Sequence, residues 1–288
     1  MKILIVKKPQ LILAGIGLSL VVVLFVFGRF TPPKTSSEKK AEAPTSVLTT
    51  SFTADSALVA AKKALTGTLI AEVDELEKNL SQSKDNKAQL SANHELAHFW
   101  QEKGRLFEPY AWYEAEAARL ENSEKSLTFA ARLFLENMQE DSDGPRRQWK
   151  ALQAKELYER SLKINPDNDS ARVGIGACYL FGNISSNPME GIALIREVVT
   201  KDSTNAYAQL TLVKGSILSG QYEKGIDRLL LVARTHPENI EAILLLAELY
   251  ERTGDKKNAV SWYEKSVLRV QQPEIRQAIR DRINELKK

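Results

Sequence analysis

Gly254 follows Gly220 by thirty-four residues, and the same interval joins Leu212 to Leu246 and Pro237 to Gln271. A fixed period of that length constrains the fold more than any composition. One such unit is a pair of helices that cannot bury its apolar face alone, so successive units must stack and share a continuous core.

Residues 240–273 show the unit most clearly. Ile243, Leu246, Ala247 and Tyr250 fall at i, i+3, i+4 and i+7, one face of a helix. Gly254 is placed to close that helix in a left-handed cap. A second helical pattern follows in Ala259, Trp262, Tyr263, Ser266 and Val267, and the small Ala247 and Ala259 let the two helices approach closely. The unit before it, 206–239, sets Leu212, Val213, Gly220, Gly225, Leu229, Val232 and Pro237 at matching places. A third carries Ile175, Gly176, Tyr179, Ile195 and Val198, with about three extra residues in 183–188. The second has Ala130, Ala131 and Phe134, then Ala154, Tyr158, Ser161, Leu162 and Pro166, stretched by roughly eleven residues around 139–147. The first has Leu96, Ala97, Trp100, Gly104 and Tyr113.

This pattern resembles the tetratricopeptide repeat family, which has large, small and aromatic residues at positions 7, 8 and 11, then Gly near 15, Ala near 20 and 27, and Pro at 32. The resemblance covers residues 90–273. Pro109 stands where the family prefers Ala, and Glu116 replaces the second small residue. The resemblance implies an all-α chain: a right-handed α-solenoid of about five helix pairs over 90–273. Residues 274–288, with Ile275, Ile279, Ile283 and Leu286 on one stripe, read as the polar-faced capping helix that a solenoid end needs.

The amino-terminal end has a different character. Lys2, Lys7 and Lys8 make residues 1–8 a short basic tail, and residues 9–28 hold no charge at all. At about 1.5 Å per residue that run spans the roughly 30 Å of a hydrocarbon core. No small-x-small cleavage site adjoins Gly28, so an uncleaved single-pass signal anchor is expected. Residues 29–52, rich in Pro, Ser, Thr, Lys, Glu and Ala, read as a disordered tether, and 53–82 as a helical hairpin. Basic residues balance across the span. An anchor this near the start favours the tail in the cytoplasm. In a bacterial inner membrane the solenoid would then be periplasmic.

Charge excludes one class of partner. Three of the 40 basic residues lie in the first 28 positions, which hold no acids, leaving 37 bases against 37 acids. A neutral solenoid lacks the concentrated positive field that nucleic-acid binding needs. Cys178, the single cysteine, falls beside Tyr179 on an apolar face and reads as a buried structural thiol.

One string invites a catalytic reading. His94-Glu95-Leu96-Ala97-His98 matches the zinc-peptidase pattern, with two imidazoles on one helix face and Glu95 as base. Glu114, Glu121 or Glu124 could supply a third ligand. The repeat register offers a rival account, since Leu96 and Ala97 occupy positions 7 and 8. His94 and His98 then fall at positions 5 and 9, which the resemblance places on the concave groove. No Gly-rich phosphate loop, CxxC or GxSxG motif is present. The expectation is therefore a non-enzyme without a cofactor or bound metal.

In this family the first helix of each repeat lines a channel that takes a peptide or a partner's helix. Carried onto this chain, groove positions 2, 5, 9 and 12 give His94 and His98 in the first repeat, and Val173, Ala177 and Leu180 in the third. The fourth gives Tyr207, Leu210, Lys214 and Ile217, and the last gives Glu241, Glu248 and Glu251 beside Arg252. An apolar centre flanked by acids suits a peptide with hydrophobic anchors and basic ends. The reading is thus a membrane-anchored scaffold or adaptor binding proteins or peptides, in assembly or chaperoning of cell-envelope proteins. A zinc peptidase and a self-associating structural tether stand as alternatives, and the oligomeric state is left open.

Overall fold

The computed structural model describes residues 52–288; the expected basic tail, the apolar span and the tether up to residue 51 lie outside the described residues. Thirteen α-helices make up the described part. They are α1 (Ala54–Ala64), α2 (Thr68–Gln82), α3 (Asn86–Phe99), α4 (Phe107–Glu121), α5 (Glu124–Glu140), α6 (Gly144–Ile164) and α7 (Asp169–Phe181). Then come α8 (Met189–Lys201), α9 (Ala206–Leu218), α10 (Tyr222–Thr235), α11 (Ile240–Arg252), α12 (Lys256–Val267) and α13 (Pro273–Leu286). Among them no helix is long and apolar enough to cross a membrane. From α3 onward each helix packs against the next, giving five pairs in a TPR-like stack with α13 laid against α12.

Local chemistry repeats with the period. Asn168, Asn205 and Asn239 each cap the first helix of a repeat, their side chains accepting from the backbone N–H of Ala171, Ala208 and Ala242 at 2.9, 3.0 and 2.9 Å. At the other end, Asn183, Gly220 and Gly254 hold positive φ at the same repeat position, 52°, 70° and 83°. Glycine meets that demand without steric cost, and asparagine is the next most tolerant residue. The first repeat differs. Its helix ends in a π-turn, Trp100–Gly104, which takes up an extra residue and moves the left-handed position on to Arg105, φ 52°.

The insertion in the second repeat does not loop out. It lengthens both helices, to 17 residues in α5 and 21 in α6, against 13 and 14 in α9 and α10. Only Asp141–Asp143 connects the longer pair. At this tip Asp141 takes a bidentate contact from Arg146, through Nε at 2.6 Å and Nη2 at 2.8 Å. Lys150, 2% exposed, donates to Asp141 at 2.7 Å and to Asn137 at 2.5 Å, and meets Glu108 of α4 at 2.8 Å. Charges this deep persist only when paired and hydrogen-bonded on every side. The guanidinium of Arg146 is the main reason that the Asp141 carboxyl sits well below its ordinary pKa.

Large side chains fill the space between helices: Leu96 and Trp100 in the first repeat, Phe134, Leu157 and Tyr158 in the second, Ile195, Leu229 and Leu246 further on. Each such burial contributes roughly 2 kcal/mol against ordering costs. Cys178 is buried as expected, and burial pushes its thiol pKa up. The two leading helices behave differently from each other. α2 packs against α3, whereas α1 lies against α4, and Phe52 just before it reaches Trp149 of α6 with ring centroids 5.3 Å apart. Trp149 in turn stacks with Trp112 at 6.5 Å.

Candidate functional site: the groove along the first helices

The first helices of the second to fifth repeats line one cavity of about 440 Å³. Thr128, Arg132, Leu135, Glu136 and Gln139 come from α5, and Ser170, Ala177 and Phe181 from α7. Tyr207, Leu210, Thr211 and Lys214 come from α9, Glu241 from α11, and Tyr158 of α6 reaches in from behind. Sharing Gln139, Phe181 and Lys214 with it, a second lobe of about 420 Å³ continues to Arg147, Leu180, Ile217 and Leu218.

The floor is apolar and closely packed. Ala177 and Leu210 are nearly buried yet reach the cavity. Tyr158 fits because residue 174 is glycine: a Cβ there would lie 2.4 Å from the phenol ring. Tyr207 keeps 41% of its surface open while burial of its phenol raises the pKa to about 12. The walls are charged but internally matched. Arg132 donates to Glu136 at 2.8 Å, and Lys214 pairs with Glu241 at 2.9 Å.

The structure thus brings Ala177, Tyr207, Leu210, Lys214, Ile217 and Glu241 together in one two-lobed groove. Others it places elsewhere. Val173 is wholly buried among Ile195, Val198, Ala208 and Leu212, so it supports the groove from behind instead of lining it. Glu248 lies outside both lobes and pairs with Arg252 at 2.6 Å. Glu251 is held by Arg282 and accepts from the Tyr263 hydroxyl at 3.1 Å. The acids of the last repeat are therefore neutralised within the chain, which removes the basis for a basic-ended ligand.

His94 and His98 line a separate cleft with Glu72 and Leu76 of α2, sharing no residue with the groove. His94 Nδ1 stands 3.8 Å from Glu114 Oε2, whose carboxyl pKa is raised by burial and partly restored by His94. Glu124 accepts from Asn165 at 2.9 Å and Glu121 from Ser123 at 3.2 Å. Among the described residues no group of three or more His, Cys, Asp and Glu side chains is arranged to hold a metal ion.

Sequence reasoning missed the α5 contribution. The same register that places Leu210 and Lys214 at positions 5 and 9 puts Thr128 and Arg132 there in the second repeat, and Leu135 at 12. That signal was available in Ala130, Ala131 and Phe134. Arg147 and Tyr158 had no such signal, because they belong to a second helix and reach the groove only through packing.

Comparisons with known proteins agree with this architecture. Residues 240–269 match the family model of the tetratricopeptide repeat. No curated protein matches the sequence. Among solved structures, a tetratricopeptide repeat protein from Parabacteroides merdae ATCC 43184 aligns with a TM-score of 0.52 at 14% identity, over 81% of this chain and 86% of that one. MamA 41-end from Desulfovibrio magneticus RS-1 gives 0.42 at 20% identity, over 64% of this chain and 94% of that one. YrrB, described as a TPR protein with an unusual peptide-binding site, gives 0.42 at 12% identity, over 72% and 97%. Residues 240–269 thus carry a tetratricopeptide repeat, and the fold around them is similar to that of a tetratricopeptide repeat protein.

Proposed function

We propose that this protein is an interaction scaffold that holds an extended segment or helix of a partner protein in its two-lobed groove. The observation that carries this reading is the groove itself: four successive first helices present an apolar floor between charged walls, with Tyr207 and Leu218 left open. Small and aliphatic side chains at the floor accept anchors, and backbone-spaced polar groups along the walls suit a peptide. An apolar floor between walls whose charges are paired to one another fits the binding of a partner.

The apolar run 9–28 supports the further proposal that the scaffold is fixed to a bacterial inner membrane with its solenoid in the periplasm, serving assembly or chaperoning of envelope proteins. Cross-linking the full-length protein in its native membrane, followed by mass spectrometry, tests both parts. Tyr207→Ala with Lys214→Glu is expected to abolish capture while far-ultraviolet circular dichroism stays unchanged. Capture at the original level by that double variant would overturn the groove reading, and an exclusively cytoplasmic set of captured proteins would overturn the periplasmic one.

A further inference from the structure

The second lobe carries a charge imbalance that the first does not. Its lining holds two cations, Arg147 and Lys214, with Gln139 and the apolar Leu180, Phe181, Ile217 and Leu218, and not one carboxylate. Lys214 is matched by Glu241. Among the described residues Arg147 has no such match. Its Nη1 makes a long contact of 3.4 Å to the Asp141 backbone carbonyl, and its Nε is buried without any hydrogen-bond partner.

The reason lies next door. Asp141, whose backbone carbonyl Arg147 touches, is already saturated by the two nitrogens of Arg146 and by Lys150, and Asp143, nearer in sequence, accepts from the Arg146 backbone N–H at the helix cap. Arg147 therefore keeps a guanidinium with unspent donors at the edge of an apolar cup, a planar fork suited to carboxylate. Beside it Leu218 is 70% exposed, an aliphatic surface uncovered among the described residues.

We infer that this lobe takes an acidic–aliphatic segment of the partner protein, with an Asp or Glu side chain set between Arg147 and Lys214 and a neighbouring aliphatic residue laid over Leu180, Ile217 and Leu218. Charge complementarity selects this occupant: a basic segment would meet the unmatched Arg147, with Lys214 already paired to Glu241, and the acids further along the stack are likewise paired within the chain. The inference rests on the groove being the protein-binding site proposed above.

A random heptapeptide library displayed on phage, selected against the full chain in mild detergent, tests it. Enriched peptides are expected to carry Asp or Glu beside Leu, Ile or Val. The best of them, resynthesised with a fluorophore and an amidated carboxyl end, is expected to bind roughly tenfold or more weakly to Arg147→Glu. Leu218→Asp, at a site too exposed to disturb the core, is expected to weaken it as well. Enrichment of basic or uncharged peptides whose binding still falls with Tyr207→Ala would overturn the acidic assignment and leave the groove standing. Peptides indifferent to Arg147→Glu, Leu218→Asp and Tyr207→Ala alike would overturn both, and a library that yields no enriched sequence would overturn the acidic assignment.

Discussion

Lys214 on α9 and Glu241 on α11 meet with 2.9 Å between Nζ and Oε1, linking two successive repeats along the groove wall. Both side chains are about half open to water, at 40% and 48%. Such a pair contributes at most about 1 kcal/mol and weakens with salt. Lys214→Ala should therefore lower the unfolding free energy by less than about 1 kcal/mol in urea titrations, with the difference fading in high salt. A larger, salt-insensitive loss would mean that the pair joins the repeats structurally, and that binding defects at Lys214 report misfolding.

Lys150 should behave in the opposite way. Removing it with Lys150→Ala leaves Asp141 and Glu108 facing a buried vacancy, and breaking a buried pair from one side costs about 3–5 kcal/mol. Urea denaturation of the two single variants side by side gives a direct comparison. Equal, small losses would refute the contrast drawn from their burial.

Acid should unfold the tip of the long hairpin early. The folded Asp141 carboxyl lies below its unfolded value, chiefly through Arg146, so the native state binds its proton less readily than the unfolded chain. Its stabilising contribution is fully present above the unfolded carboxylate pKa of about 4 and is lost as pH falls through the folded value. Stability of the wild type should decline below about pH 4 more steeply than that of Asp141→Asn, which starts lower but has no such proton to gain. Parallel curves would show that other carboxylates govern the acid limb.

Gly174→Ala tests the floor. The added methyl would lie 2.4 Å from the Tyr158 ring, so the phenol must shift within a packed layer, at a cost of about 1–3 kcal/mol. Since Tyr158 lines the cavity, ligand capture should fall along with stability. Gly254→Ala serves as the control: it meets open space but holds φ 83°, so about 1 kcal/mol of backbone strain is expected, with capture unchanged. Capture lost equally in both variants would detach the floor from binding.

Phe52→Ala should loosen the leading helix without harming the stack. Phe52 meets Trp149 at the edge of a cluster that Trp149, Phe134 and Trp112 complete without it. Hydrogen exchange across Ala54–Ala64 should speed up while α7 to α12 keep their protection. Uniform acceleration throughout would indicate that the clasp is part of the global cooperative unit.

Much of the scaffold was legible because repetition amplifies weak signals. One leucine at a heptad-like spacing says little, whereas Leu212 and Leu246 at one repeat position, with Gly220 and Gly254 closing each helix, specify a unit and its neighbours. That Tyr207, Leu210, Lys214 and Glu241 share one cavity agrees with the positions that the family resemblance implies, carried over by register. Val173 shares that register and is buried, because α8 and α9 close over it. The histidines share it too, yet α2 packs beside them and makes a different cleft.

What the sequence determined by itself was the periodic part: helix pairs, their caps and the order in which they stack, since each depends on residues close together in the chain. Tertiary structure alone decided the rest. It turned the roughly eleven-residue insertion into longer helices, satisfied Asp141 with Arg146 and Lys150, and left Arg147 at the groove's edge without a carboxylate partner among the described residues. Local pattern sets which face of a helix is apolar. Which charges find partners depends on distances between helices, and those exist only once the repeats have packed.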